Sequence, residues 1–345
     1  MLNLRFHRAQ ALPSSPGDDL LWARSIRYTL TVAPLVALGW LLEANIWLVY
    51  ALVTTTVVFA VDTGGRPLPR LAWMGAGGLV VAAGAALATL LTPSHPLLVT
   101  AFALSGIVYA LIENTHMVAL TLSRFLCFAL AIGALYPSFD TLDLGVTVGA
   151  VATTWIVSVV WDLVAGGWRR STAPHWRAIV AALRGRERER WIFALAVALA
   201  IPLAYWSSLE LGIARPYWAV LTLVVVLRMD FISSRRLMID RFVGTVLGVV
   251  IAGAYAMLFP SNGALMIGIV LAALARWPAQ QQHDALGVGV LTAFVMLMIE
   301  LVSVARGDAA GLLEARVLNT VVGCVIGILA TAFDRGLRRV AATGG

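Results

Sequence analysis

Arg70 follows Trp47 by 23 residues, and Arg241 follows Trp218 by the same interval. In the first copy an apolar span runs into Asp62-Thr-Gly-Gly-Arg66-Pro-Leu-Pro-Arg70; in the second it runs into Arg228-Met-Asp230-Phe-Ile-Ser-Ser-Arg235-Arg236, ahead of Arg241. A glycine stands seven residues beyond each arginine, Gly77 and Gly248. A guanidinium beside a carboxylate in an apolar chain can bind an anion through paired N–H donors, or lose its partner when the acid takes up a proton. Arg70 and Arg241 are therefore expected as cationic gates at the cytoplasmic mouth of the third span of each half. Asp62 and Asp230, closing the preceding spans, are expected to hold them and release them on protonation. The competing reading makes both arginines simple interfacial anchors.

Three further features bear on chemistry. Arg124 lies in Leu120-Thr-Leu-Ser-Arg124-Phe-Leu-Cys-Phe, where a guanidinium at mid-span costs about 2.5–3.5 kcal/mol on insertion scales. It is either a counter-ion for a substrate carboxylate or an interfacial residue at the true start of its span. Glu300, in Met296-Leu-Met-Ile-Glu300-Leu-Val, is the most embedded acid, and burial fits such a carboxyl for proton exchange near neutral pH. Trp47, Tyr217 and Trp218 are read near the outer interface, as belt residues or as stacking surfaces for an aromatic substrate.

The elements that position these residues are membrane spans. A mean hydropathy of +0.88, with 60% hydrophobic and 12% charged residues, excludes an ordinary soluble core. The apolar runs predict an all-α integral membrane protein of about 12 transmembrane helices, near 27–42, 46–61, 71–92, 97–113, 117–136, 145–166, 191–209, 216–229, 242–259, 263–277, 286–304 and 315–333. The 25 basic residues are all arginine, and they concentrate in loops that the positive-inside rule assigns to the cytoplasm, with Arg215, Arg306 and Arg316 on the outer side. Both termini are then cytoplasmic, and the net charge of +7 is topological. The expected division is a cytoplasmic segment 1–26, a six-helix repeat 27–166, a basic linker 167–190 lying on anionic lipid, a second six-helix repeat 191–334 and a tail 335–345. Each repeat opens on a span with an internal proline, Pro34 or Pro202, and an even number of spans per half makes the repeats parallel. Glycines four apart (Gly145 with Gly149, Gly244 with Gly248, Gly323 with Gly327) are expected to let the halves pack closely.

Several classes drop out. The first 26 residues have no long apolar core and do not read as a cleavable signal. The five histidines are scattered, Cys127 and Cys324 lie in separate spans, and no phosphate-binding loop is present. No metal, cofactor or nucleic-acid partner is expected. A lipid-modifying enzyme would need clustered His, Asp and Glu at a membrane face, so no enzyme activity is expected either. Glu113, Asn114 and His116 form a polar break between spans, read as a cytoplasmic turn.

At Pro216-Tyr217-Trp218-Ala-Val-Leu-Thr222, followed by Arg241-Phe-Val-Gly244-Thr245-Val-Leu-Gly248, the chain resembles the fusaric acid resistance-like family. That family groups with bacterial aromatic acid exporters and, more distantly, with plant aluminium-activated malate transporters. Glu314-Ala-Arg316-Val-Leu-Asn319-Thr320-Val-Val-Gly323 is a weaker echo, and the first half has Asn45-Ile-Trp47 and Met74-Gly75 where the Pro-Tyr and Gly-Thr pairs would stand. The resemblance implies paired six-span units that export organic, often aromatic, carboxylates; the expected protein is a bacterial inner-membrane exporter of small organic anions driven by the proton gradient. A passive organic-anion channel and a membrane subunit of a larger efflux complex are the alternatives. Implied partners are the organic anion, membrane lipids and either further copies of the chain or a periplasmic efflux protein. Larger aromatic acid exporters carry sizeable cytoplasmic domains, whereas this chain has a short linker.

Overall fold

The computed structural model describes residues 21–42, 47–113, 115–134, 139–165, 171, 173, 176–184, 188–227, 231–303 and 309–343. Asp230, Asn114, residues 1–20 and part of the 167–190 linker lie outside them. The described residues form helices and no strand. In chain order these are α1 (Leu21–Leu41), α2 (Leu48–Ala60), α3 (Pro67–Leu91), α4 (His95–Ile112), α5 (Met117–Gly133) and α6 (Thr141–Val164). A short α7 (Trp176–Arg184) follows. The second set is α8 (Arg188–Glu210), α9 (Tyr217–Val226), α10 (Phe231–Leu258), α11 (Asn262–Gln282), α12 (Asp284–Ser303) and α13 (Ala309–Thr343). Among the described residues, eight helices are long and apolar enough to cross a membrane: α3, α4, α6, α8 and α11, and spans within α10, α12 and α13. Large apolar side chains such as Leu142, Val148, Ile156, Val250 and Leu271 face outward from them, as lipid-facing surfaces do. The protein is a multi-pass membrane protein.

Helix length carries the local physics. Pro34 in α1, Pro202 in α8 and Pro278 in α11 are interior, whereas Pro67 stands in the first turn of α3, where its missing N–H costs nothing. The apolar α2 and α9 have only 13 and 10 residues, or about 20 and 15 Å at 1.5 Å per residue, short of a ~30 Å hydrocarbon layer. Both are buried almost throughout, so protein rather than lipid surrounds them, the setting in which helices too short to span are tolerated in a membrane. Past α2 the chain turns through Gly64 and Gly65 at φ 63° and 82°, where glycine avoids the Cβ penalty of the left-handed region. Past α9, Leu227 leaves helical geometry at ψ 125°, and its carbonyl accepts the Tyr109 hydroxyl at 2.9 Å.

The two sets of helices interlock: α1 packs on α11, α4 on α8, α5 on α9 and α2 on α12. An aromatic cluster of Tyr28, Phe59, Trp277 and Phe294 fills the first of these joints, with Tyr28 ring centroids 5.1 Å from Phe59 and 5.0 Å from Trp277. The spaced glycines work elsewhere than expected. Gly244 and Gly248 seat α10 on the α12 backbone, and Gly323 seats α13 on α9, contacts inside the second set. Gly145 and Gly149 face open space. A Cβ at Gly248 would collide with the Gly289 carbonyl oxygen. Gly248→Ala is therefore expected to destabilise by about 1–3 kcal/mol, the usual cost of overpacking, read as a lower thermal midpoint of the detergent-solubilised protein.

Candidate anion-binding site among six helices

A cavity of about 130 Å³ opens where α2, α5, α9, α10, α12 and α13 meet. Its wall is almost entirely aliphatic and aromatic: Val49, Leu52 and Val53 from α2, Phe125 and Phe128 from α5, Trp218 from α9, Phe294 and Met298 from α12. Two cations break that wall, Arg241 on α10 and Arg316 on α13. Their relative exposures are 8% and 4%. Arg241 Nε, and Nε and Nη1 of Arg316, are buried with no hydrogen-bond partner among the described residues. Neither arginine is ion-paired with a carboxylate there. They sit close enough to repel one another. The Arg316 guanidinium lies 5.1 Å from the centroid of the fully buried Trp218 ring, a favourable contact of the cation–π type that leaves the charge uncompensated.

The surroundings fix these groups. Asn319, almost one turn beyond Arg316, donates from Nδ2 to the Ala214 carbonyl at 2.8 Å and to the Ala315 carbonyl at 2.7 Å. That side chain ties α13 to the loop leading into α9, the two elements that carry Arg316 and Trp218. Tyr217 and Trp218 lie with ring centroids 5.5 Å apart and both line the cavity. Buried guanidiniums without acid partners in an apolar pocket have the chemistry to pair with a carboxylate whose body is apolar.

Arg70, the counterpart of Arg241 by spacing, meets a different fate. It donates from Nε to Asp62 Oδ1 at 2.5 Å and from Nη2 to Asp62 Oδ2, while Nη1 reaches Asp162 Oδ2 at 2.6 Å. Arg27 of α1 approaches Asp62 at 3.4 Å. The four side chains are 0–5% exposed and their formal charges cancel. Burial alone would push the Asp62 carboxyl up, but the hydrogen bonds and charge of Arg70, the charge of Arg27 and the Gly64 N–H together hold it below the ordinary carboxylate range. While this cluster is closed, Asp62 stays ionised at neutral pH and Arg70 has no free face for a substrate. Position along the helix differs too: Arg70 is three residues from the start of α3 and Arg241 ten from the start of α10, about 15 Å along it.

The remaining expected residues are spread out. Arg124 sits on α5 with its guanidinium 5.7 Å from the Tyr109 ring centroid, and it is not among the residues lining the cavity, although Phe125 and Phe128 are. Trp47 is a buried residue at the N-cap of α2 and also does not line it. Glu300 is half-buried at a separate cavity of about 90 Å³, with Ala252, Ala256, Met296 and Leu297. Asp230 is outside the described residues. His116 caps α5, its Nδ1 accepting from the Val118 N–H at 3.2 Å. Sequence reasoning missed Arg316, Arg27 and Asp162. Arg316 had a signal in the Glu314-to-Gly323 echo, but it was placed at the outer surface rather than in the wall of a cavity.

Residues 197–330 match the family described as fusaric acid resistance protein-like. The chain is also 35% identical over 144 residues to the uncharacterized membrane protein YvaC of Bacillus subtilis (strain 168), a stretch that covers 41% of this chain and 22% of that protein. This chain thus spans about a fifth of the length of that relative. No solved structure matches. Tyr217, Trp218, Arg241 and Arg316 all fall within the matched segment, while the walls contributed by α2 and α5 fall before it. Over residues 197–330, this multi-pass membrane protein is similar to the fusaric acid resistance protein-like family.

Proposed function

We propose that the protein exports small organic anions, aromatic carboxylates foremost, across a bacterial inner membrane at the expense of the proton gradient. The observation that carries the reading is the pair of buried, acid-free arginines in an otherwise apolar, aromatic-walled cavity. Its volume of about 130 Å³ is of the order of the ~150 Å³ apolar cavity that admits one benzene ring, so a single-ring acid is the natural cargo. In this account the helices make two parallel six-helix repeats with both termini in the cytoplasm, and rocking of one repeat against the other opens the cavity to each side in turn. Recognition comes from Arg241 and Arg316 of the second repeat, and the first repeat supplies apolar wall. Glu300, in its own cavity beside α10, is the proton carrier.

The test is efflux from proteoliposomes loaded with benzoate, with other single-ring acids and with aliphatic carboxylates of similar charge. Benzoate is expected to leave saturably and faster under an imposed pH gradient. A sustained benzoate current in voltage-clamped bilayers, indifferent to that gradient, would instead identify a passive channel. Absence of any protein-dependent flux would sink the transport reading and leave the role of a membrane subunit in a larger efflux complex.

A further inference from the structure

Arg241 and Arg316 are buried, mutually repulsive and without an acid partner among the described residues, yet an organic cargo occupies the cavity only part of the time. A third group shares the same wall. Thr292 is 2% exposed, lines the cavity and has a hydroxyl with no hydrogen-bond partner among the described residues. Unpaired charges in a low-dielectric interior are costly, and unpaired buried donors add to that cost. Two cations and a hydroxyl suit a small monovalent anion. A divalent oxyanion would surrender a hydration shell that the surrounding leucine, valine and phenylalanine side chains cannot replace.

We propose that the cavity binds chloride between Arg241, Arg316 and Thr292 whenever the organic anion is absent, so that substrate enters by exchanging with a resident inorganic anion. The inference rests on the reading of this cavity as the anion site. It makes chloride a competitor of the substrate, and it accounts for how the cargo-free protein tolerates two buried like charges in the wall of one cavity.

The experiment uses the full chain in lipid nanodiscs in gluconate buffer, with radioactive chloride as the probe. The native protein is expected to bind one chloride per chain saturably, and its thermal midpoint is expected to rise with chloride concentration. Thr292→Val keeps the side-chain shape and both charges, and is expected to weaken chloride binding about tenfold, the loss of roughly one good hydrogen bond. Arg241→Gln with Arg316→Gln is expected to abolish saturable binding, while the doubly substituted protein melts no lower than the native one in chloride-free buffer. Benzoate is expected to displace the bound chloride competitively. Failure of the native protein to bind chloride saturably, or equal binding by the double variant, overturns the inference. If chloride fails to bind while benzoate is still exported, only this inference falls. If chloride binds as described but benzoate neither displaces it nor leaves the vesicles, the transport reading falls and the chloride site stands.

Discussion

Arg316→Met is expected to cut benzoate efflux by at least about 30-fold without lowering the thermal midpoint in chloride-free buffer. Truncating one member of a buried, hydrogen-bonded charge pair typically costs about 2–5 kcal/mol, and 1.4 kcal/mol is a factor of ten, which sets that lower bound. Stability should not follow, because Arg316 has no acid partner among the described residues to leave behind, and methionine is an unbranched side chain that fills irregular space. The dissociation of the two readouts is the diagnostic part. A structural arginine would lower both, whereas a ligand-binding one lowers transport alone. Lysine at this position is expected to rescue poorly, since a single ammonium cannot present the planar fork that matches a carboxylate. Arg124→Gln, off the cavity wall, is expected to keep most of the efflux.

Asp162→Ala is expected to show the reverse pattern, with a loss of stability of about 3–5 kcal/mol, the usual result of stripping one partner from a buried ion pair. Arg70 would keep Asp62 but lose the bond that reaches across to α6. Against a typical total of about 5–15 kcal/mol, that is a large fraction, visible as a sharply lower melting point in detergent. Combining Asp162→Leu with Arg70→Met should recover part of the loss, because apolar replacement of a whole buried pair is often close to neutral. The pH dependence follows from Asp62. Its folded pKa is depressed, so its contribution to stability is fully present above the unfolded value near 4 and is lost as pH falls through the lower, folded one. Thermal midpoints should therefore be flat with respect to Asp62 from pH 5 to 8 and decline only below about pH 4.

What the sequence made legible was what hydropathy and spacing encode locally. A helix lies over each apolar segment, Pro34 and Pro202 are interior to α1 and α8, and Tyr217, Trp218 and Arg241 line one cavity. The failures share a physical cause, which is that depth and partners are tertiary properties. Arg70 and Asp162 are 92 residues apart, and no local pattern links them. Arg241 reads from the sequence as the start of an apolar run, and α10 begins ten residues before it at Phe231, its polar first turns carrying Arg235, Arg236 and Asp240. Arg316 was assigned to the outer surface for the mirror-image reason, since α13 begins at Ala309 and takes Arg316 two turns inside. Equal spacing from tryptophan to arginine therefore hid unequal roles. The first copy is a neutral, internally paired cluster, and the arginine of the second has no acid partner among the described residues.

The central claim is that an organic anion seats in the cavity of Trp218, Arg241 and Arg316, and photolabelling with 4-azidobenzoate locates the seat directly. Irradiation of the protein in nanodiscs, followed by peptide mass spectrometry, is expected to place adducts on α9 and α12 around Trp218 and Phe294. Excess benzoate should suppress them, and Arg241→Gln with Arg316→Gln should remove them. Benzoate-protected adducts confined to other helices, or labelling at these positions that persists in the double variant, would contradict the account.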